Sequence, residues 1–342
     1  MRLDMDFSRK NICGKVGSMR QLASIRRAVL DDGKGRNMRI VDVDNGSGLK
    51  FTVYPDRGMD IGEASYKGIP LVWLTPACGT PEEYEPEQFN WLRSWGGGFL
   101  TGCGLLNVGG PCEAGGENHS LHGRLSHLKA CDLNTDSKWL DDETFELTVS
   151  GKVIHSKVFG ENLQLTRKIA VQLGVNAVVI EDAVENCGFK ETPFMLLYHM
   201  NFSWPLVNEN AHIDAPEHPV TPQNDIAAAG LSQWNRMSLP VSGFAEQVFY
   251  HDLPADENGM AGLKLVNPDL KLAMKITYSK ATLPFMVQWK QMGQGEYVLG
   301  LEPGNCIPEG QVNNASKGVL KTICPGEVIR HKVVVAFEDL GQ

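Results

Sequence analysis

Polar and apolar residues alternate through most of the patterned stretches of this chain, the period-two signature of a strand with one face turned to a core. The pattern runs over Met38 to Asp44, Leu49 to Tyr54, Phe145 to Val153, Leu163 to Val171, Ala177 to Asn186, Lys271 to Tyr278, Tyr297 to Glu302 and His331 to Phe337. Most of these stretches are rich in β-branched residues, with Gly, Asn, Asp or Pro near their ends. The last is expected to close a sheet. Helix-period stretches are few: Pro81 to Trp95, and part of Met19 to Val29, which reads equally well as a strand. The pattern predicts an all-β protein, a large antiparallel sandwich or barrel. Strand-helix alternation is missing, which argues against a Rossmann or TIM architecture, and no short-period repeat suggests a propeller or solenoid.

Composition narrows the class. The 342 residues are 42% hydrophobic and 21% charged, enough apolar material for a packed core. No clean seam divides them, so one main domain is expected over 37–342, with 1–36 as an N-terminal extension packing on it. A net charge of −9 without a dense basic run argues against nucleic acid as a partner. No stretch approaches the roughly 20 apolar residues of a membrane-spanning helix, and the charged N-terminus does not read as a secretory signal. The eight cysteines are scattered without C-x-x-C or metal-finger spacing, so reduced thiols and a cytoplasmic location are expected.

Five stretches are candidates for chemistry. Tyr54 to Gly62 places Arg57 at a strand end beside Gly58, where a guanidinium can hold an oxygen-rich ligand, or pair with Asp56 or Asp60 in a surface turn. Trp95 to Leu105 has Gly at five of eleven positions but no phosphate-cradle motif, and reads as close backbone approach or as a pocket wall made of small residues. Glu117 to Arg124, E-N-H-S-L-H-G-R, follows a Gly-rich approach and carries His119, His122 and Arg124, which are loop residues in solvent or ligand-binding groups. Alternation over Leu196 to Leu206 puts His199, Asn201 and Ser203 on one face and Tyr198, Met200 and Phe202 on the other. A polar trio there faces a cavity or is satisfied within the core. Glu302 ends an apolar strand before Pro303 and Gly304, where partial desolvation would raise its pKa toward that of a useful base. Trp289 is either core or a ring face offered to the CH groups of a sugar.

Taken in order, the R-G-M-D, H-G-R, Y-H-M-N and L-E-P-G elements resemble the galactose mutarotase-like, or aldose 1-epimerase, superfamily, and more closely a bacterial branch of it, from roughly Asn37 to Glu338. The resemblance implies a β-supersandwich that interconverts the anomers of a free or modified sugar without a cofactor or metal. It implies that Glu302 is the base at the anomeric hydroxyl, that His199 is the acid at the ring oxygen, and that His122 is a second histidine near that oxygen. Arg57 is then the guanidinium that holds sugar hydroxyls, with Arg124, Asn201, Trp289 and His119 as further substrate-binding candidates. The superfamily's Asp-containing Y-D-H-N-F element has no counterpart here; Asp225 and Asp60 are the nearest stand-ins. The expected partner is a small carbohydrate, and a homodimer is the assembly to test. A sugar isomerase or lyase using the same base, and a sugar-binding sensor without turnover, are the alternatives.

Overall fold

The computed structural model describes residues 6–77 and 87–341, and every alternating stretch named above is a strand or most of one. Among the described residues the α-helices are three short ones, Arg9–Cys13, Asp225–Ala229 and Gln311–Ser316. None is long and apolar enough to cross a membrane. The helix expected over Pro81 to Trp95 lies partly outside the described residues, and its described part holds one 3-10 turn, Asn90–Arg93. Met19 to Val29 divides into a 3-10 turn, Met19–Gln21, and a strand, Ser24–Val29.

The strands form three large antiparallel sheets. A five-stranded meander runs in chain order from Ser24–Val29 to Ile69–Pro70. An eight-stranded sheet runs from His212–Asp214 to Ala130–Trp139 and contains the long strands Phe145–Ser156, Asn162–Gln172 and Val175–Asn186. The C-terminal strand Val328–Asp339 completes that sheet from within, between Val175–Asn186 and Leu272–Ser279. A seven-stranded sheet is built on Phe285–Gly293, Glu296–Gly304 and Thr192–Ser203, with Thr101–Leu105 against the last of these.

One apolar core is shared by all three sheets: Val53 and Ile61 from the first, Val149, Leu165 and Val335 from the second, and Leu196, Tyr198, Met200, Leu299 and Leu301 from the third. Ile12 and Ala23 of the N-terminal segment join it, and Ser24–Val29 pairs with Arg39–Asp44. The opposite face of the seven-stranded sheet carries a second, smaller cluster in which Leu197, Val287 and Cys103 pack against Trp91 and Trp95. Strand Thr192–Ser203 is therefore buried on both faces, which is why Ser203 and Asn201 must satisfy themselves internally. Ser203 Oγ donates to the Tyr297 carbonyl at 2.5 Å, and Asn201 Nδ2 donates to the Gly98 carbonyl at 3.0 Å.

A buried ion pair ties the sheets together. Arg167 and Asp182, on neighbouring strands of the eight-stranded sheet, have fully buried side chains with Nη2 to Oδ2 at 2.7 Å. The Tyr198 hydroxyl of the site sheet donates to the same oxygen at 2.7 Å. All seven cysteines among the described residues are free thiols; Cys78 lies outside them.

Candidate active site

Strand register does most of the assembly. Met200 lies opposite Leu301 and Leu197 opposite Gly304, which sets His199 directly across from Glu302. On the other side Val287 pairs with Glu302 and Trp289 with Gly300. Because side chains alternate, His199, Glu302, Val287 and Trp289 all project from one face. His199 Nε2 is 3.3 Å from Glu302 Oε1. Space for that carboxylate comes from Gly300, where a Cβ would sit 2.3 Å from Glu302 Oε1.

The other wall is the loop that carries His122. His122 has φ 57 and Gly123 has φ 70, and a Cβ at Gly123 would sit 2.6 Å from the carbonyl oxygens of Asn107 and Gly104. Only Gly fits there, so the H-G step is a backbone requirement of the loop. His122 N–H donates to the Gly109 carbonyl at 2.9 Å, and its Nδ1 accepts the Gly109 N–H at 3.4 Å, which leaves the ring proton of a neutral imidazole on Nε2.

These residues line a cavity of about 330 Å³ together with Trp91, Trp95, Gln223 and Glu246. The imidazole of His199 lies 5.5 Å from that of His122, 5.2 Å from Trp95 and 5.5 Å from Trp289. Burial pushes the Glu302 carboxyl well above the ordinary range, with the charge of Glu246 adding to it. Burial likewise pushes His199 well below 6.5, helped by His122, and lowers His122 to about 4. Low dielectric favours the neutral form of each group, so Glu302 and His199 face one another as an acid raised and a base lowered, with one proton between them.

The structure thus brings together Glu302, His199, His122 and Trp289, and does not bring the remaining candidates to this cavity. Arg57 is buried beside Asp60 in a separate space of about 330 Å³, behind the Trp95 ring, because its turn belongs to the five-stranded sheet. His119 and Arg124 turn into a third cavity, with Glu117, His155 and Glu161, because the chain reverses at His122 and Gly123. Asn201 is fully buried and spends its amide on backbone carbonyls. Of the two acidic stand-ins, Asp60 accepts the Gly102 N–H at 2.8 Å and Asp225 opens a short helix; neither lines this cavity. Lys290 is turned away, its ammonium donating to the Gln233 carbonyl at 2.9 Å.

Two polar groups in the cavity carried no readable signal. Glu246 precedes strand Gln247–His251 and its Oε2 accepts the Trp289 indole N–H at 2.7 Å. Gln223 donates to the Tyr250 hydroxyl at 2.9 Å, which in turn donates to Glu309 at 2.8 Å. Among the described residues no group of His, Cys, Asp or Glu side chains is arranged to hold a metal ion.

The family model described as a domain of unknown function, DUF4432, matches residues 35–336. The chain belongs to the DUF4432 family. No curated protein matches it in sequence. Among solved structures, this DUF4432 chain is similar to one from Klebsiella pneumoniae subsp. pneumoniae MGH 78578, provisionally titled an aldose 1-epimerase. Identity is 25% and the TM-score 0.84, over 93% of this chain and 86% of that one. A galactose mutarotase-like protein from Clostridium acetobutylicum shares the fold at TM-score 0.63 and 14% identity, covering 93% of this chain and 99% of that one. A galactose 1-epimerase from Lactobacillus acidophilus NCFM does so at TM-score 0.60 and 14% identity, over 93% and 100%. The fold of this DUF4432 protein is therefore galactose mutarotase-like.

Proposed function

We propose that this protein is a sugar 1-epimerase in which Glu302 and His199 open and reclose a cyclic hemiacetal. The observation that carries the reading is the 3.3 Å approach of a buried carboxyl and a buried imidazole across one wall of a pyranose-sized cavity. Opening the ring takes one proton off O1 and places one on the ring oxygen. A carboxylate facing an imidazolium performs both transfers and finishes as a carboxylic acid facing a neutral imidazole. Those two states hold the same single proton, so reclosure on the other carbonyl face returns the pair to its start with nothing taken from solvent. Burial raises the Glu302 pKa and lowers that of His199, which favours the neutral pair and makes the carboxylate a stronger base and the imidazolium a stronger acid when the proton crosses. His122, with its ring proton on Nε2, gives a positioning hydrogen bond near the ring oxygen that His199 protonates, and Trp289 offers its face to the sugar CH groups.

Saturation-transfer NMR on a panel of free sugars tests this. Wild-type protein is expected to accelerate anomer exchange, and Glu302→Gln to reduce the rate by about 10²- to 10⁴-fold, the usual contribution of a positioned proton transfer. Absence of exchange with every sugar would refute the reading. Deuterium appearing on a sugar carbon would reassign the base to an isomerase or lyase.

A further inference from the structure

We infer that Trp95 sets the substrate class of this site, partitioning the catalytic cavity from Arg57 and restricting it to uncharged deoxy sugars. The inference rests on the epimerase reading for its chemistry but on separate observations for its specificity.

The first observation is the position of the indole. Trp95 borders both the cavity of His199 and Glu302 and the cavity of Arg57 and Asp60. Its Nε1 donates to Thr101 Oγ1 at 3.0 Å, and its ring packs 5.0 Å from Trp91 and 5.4 Å from Trp73. A ring held by a hydrogen bond on one edge and by two other indoles is a fixed wall. Behind it, Arg57 is 3% exposed and its Nη1 has no hydrogen-bond partner. A guanidinium with a spare donor thus lines the cavity on one side of Trp95, and His199 and Glu302 line the cavity on the other.

The second observation is what remains in front of the wall. No Lys or Arg side chain is among the described residues lining the catalytic cavity, while two carboxyl groups, Glu302 and Glu246, are. A phosphorylated sugar would meet like charge with no compensating donor. The polar groups are also few. Glu302, His199 and His122 are committed to O1 and the ring oxygen, Glu246 is half engaged by Trp289, and Gln223 spends its amide on Tyr250. The rest of the lining is largely aromatic and aliphatic. A hydroxyl pressed against such a wall gives up water without gaining a partner, and replacing it by hydrogen or methyl removes that cost.

The test has two arms. In the first, exchange rates are compared for aldoses, their 2-deoxy and 6-deoxy counterparts, and the 6-phosphates. At least one deoxy sugar is expected to exceed its parent in kcat/KM by about ten- to a hundredfold, with no detectable exchange of the phosphates. A parent sugar or a phosphate turning over faster than every deoxy sugar would overturn the inference. In the second, Trp95→Ala joins the two cavities, and the preference is expected to fall by at least about tenfold toward the hydroxylated parent. That gain should disappear when Arg57→Met is added, and Trp95→Phe should retain the wild-type preference. An unchanged preference in Trp95→Ala would overturn the partition. Calorimetric binding of 1,5-anhydro sugars, which have no anomeric hydroxyl to exchange, separates this from the reaction. Tighter binding of the deoxy analogues without turnover of any sugar upholds the specificity and sinks the epimerase reading. Equal binding of all analogues sinks the specificity alone.

Discussion

Replacing Asp182 by Asn removes one negative charge from the middle of the molecule at nearly constant volume. Asp182 takes the Arg167 guanidinium in a two-point grip, Nε to Oδ1 at 2.9 Å and Nη2 to Oδ2 at 2.7 Å, and both side chains have 0% exposure. Arg167 Nη1 extends the grip to the Gly58 and Met59 carbonyls at 3.4 Å, and Tyr198 adds a hydroxyl donor to Oδ2. Arg cannot shed its proton, so in Asp182→Asn the guanidinium stays charged without its hydrogen-bonded counter-ion, and the new amide NH₂ confronts donors on two sides. Stranding one member of a buried pair costs about 3–5 kcal/mol, roughly a fifth or more of the about 5–15 kcal/mol that holds a typical domain folded. Urea unfolding should show the midpoint lowered by that amount divided by an unchanged m-value. Tyr198→Phe, which loses one hydrogen bond to a carboxylate, should cost less, about 1.5–3 kcal/mol. An Asp182→Asn protein within about 1 kcal/mol of wild type would refute the reasoning, because it would mean that the pair's charge is already compensated elsewhere.

Two further outcomes follow from the site and from the buried imidazoles. In Gly300→Ala the new methyl would stand 2.3 Å from Glu302 Oε1, so the carboxylate must swing away from His199. Anomer exchange should drop at least tenfold in kcat, with a stability loss of about 1–3 kcal/mol, read from steady-state NMR rates and a thermal melt. Stability should also fall as pH drops from 6.5 toward 4. Burial lowers His122 and His331 to about 4, His127 and His251 to about 3, and His199 well below 6.5, so these five take up protons on unfolding. Their contribution is complete above 6.5 and is lost on acidification. Asp60, raised by burial to about 7, and Glu302, also raised, run the other way, stabilising at low pH and losing that as pH rises, but they are two against these five and His119, which burial also lowers. Each uncompensated proton is worth about 1.4 kcal/mol per pH unit. Urea midpoints at pH 7.5, 6 and 4.5 check the sign, and a midpoint that rises on acidification contradicts it.

How much of this was legible depends on what alternation encodes. Leu49 to Tyr54 and Phe145 to Val153 read cleanly because each puts β-branched or aromatic residues toward the shared core and polar ones outward. Ala130–Trp139 did not, since this edge strand, A-C-D-L-N-T-D-S-K-W, is half solvent-exposed and polar on both faces. Thr101–Leu105 hid inside a Gly-rich run: all five residues are buried, and the glycines there permit close packing rather than a turn.

The site shows the same boundary more sharply. A strand's own residues reveal which of them share a face, and that sufficed to group His199 with Asn201 and to mark Glu302. They do not reveal which sheet will pack over that face. Arg57 was marked as a guanidinium at a strand end and His199 as a polar residue on an apolar strand, and both are buried, as each reading of a used polar group allows. What separates them is Trp95, contributed by the stretch between the meander and strand Thr101–Leu105 and inserted between the two sheets. Its position follows from the hydrogen bond to Thr101, the tilted contact with Trp91 and the edge-on contact with Trp73, which no strand period encodes. Glu246 is the complementary case, an acidic residue on a loop whose only distinction is the indole it meets across the sheet. The buried carboxyl and imidazole pair is thus written in the strands themselves, whereas the rest of the cavity lining is fixed by how strands distant in sequence come to lie against one another.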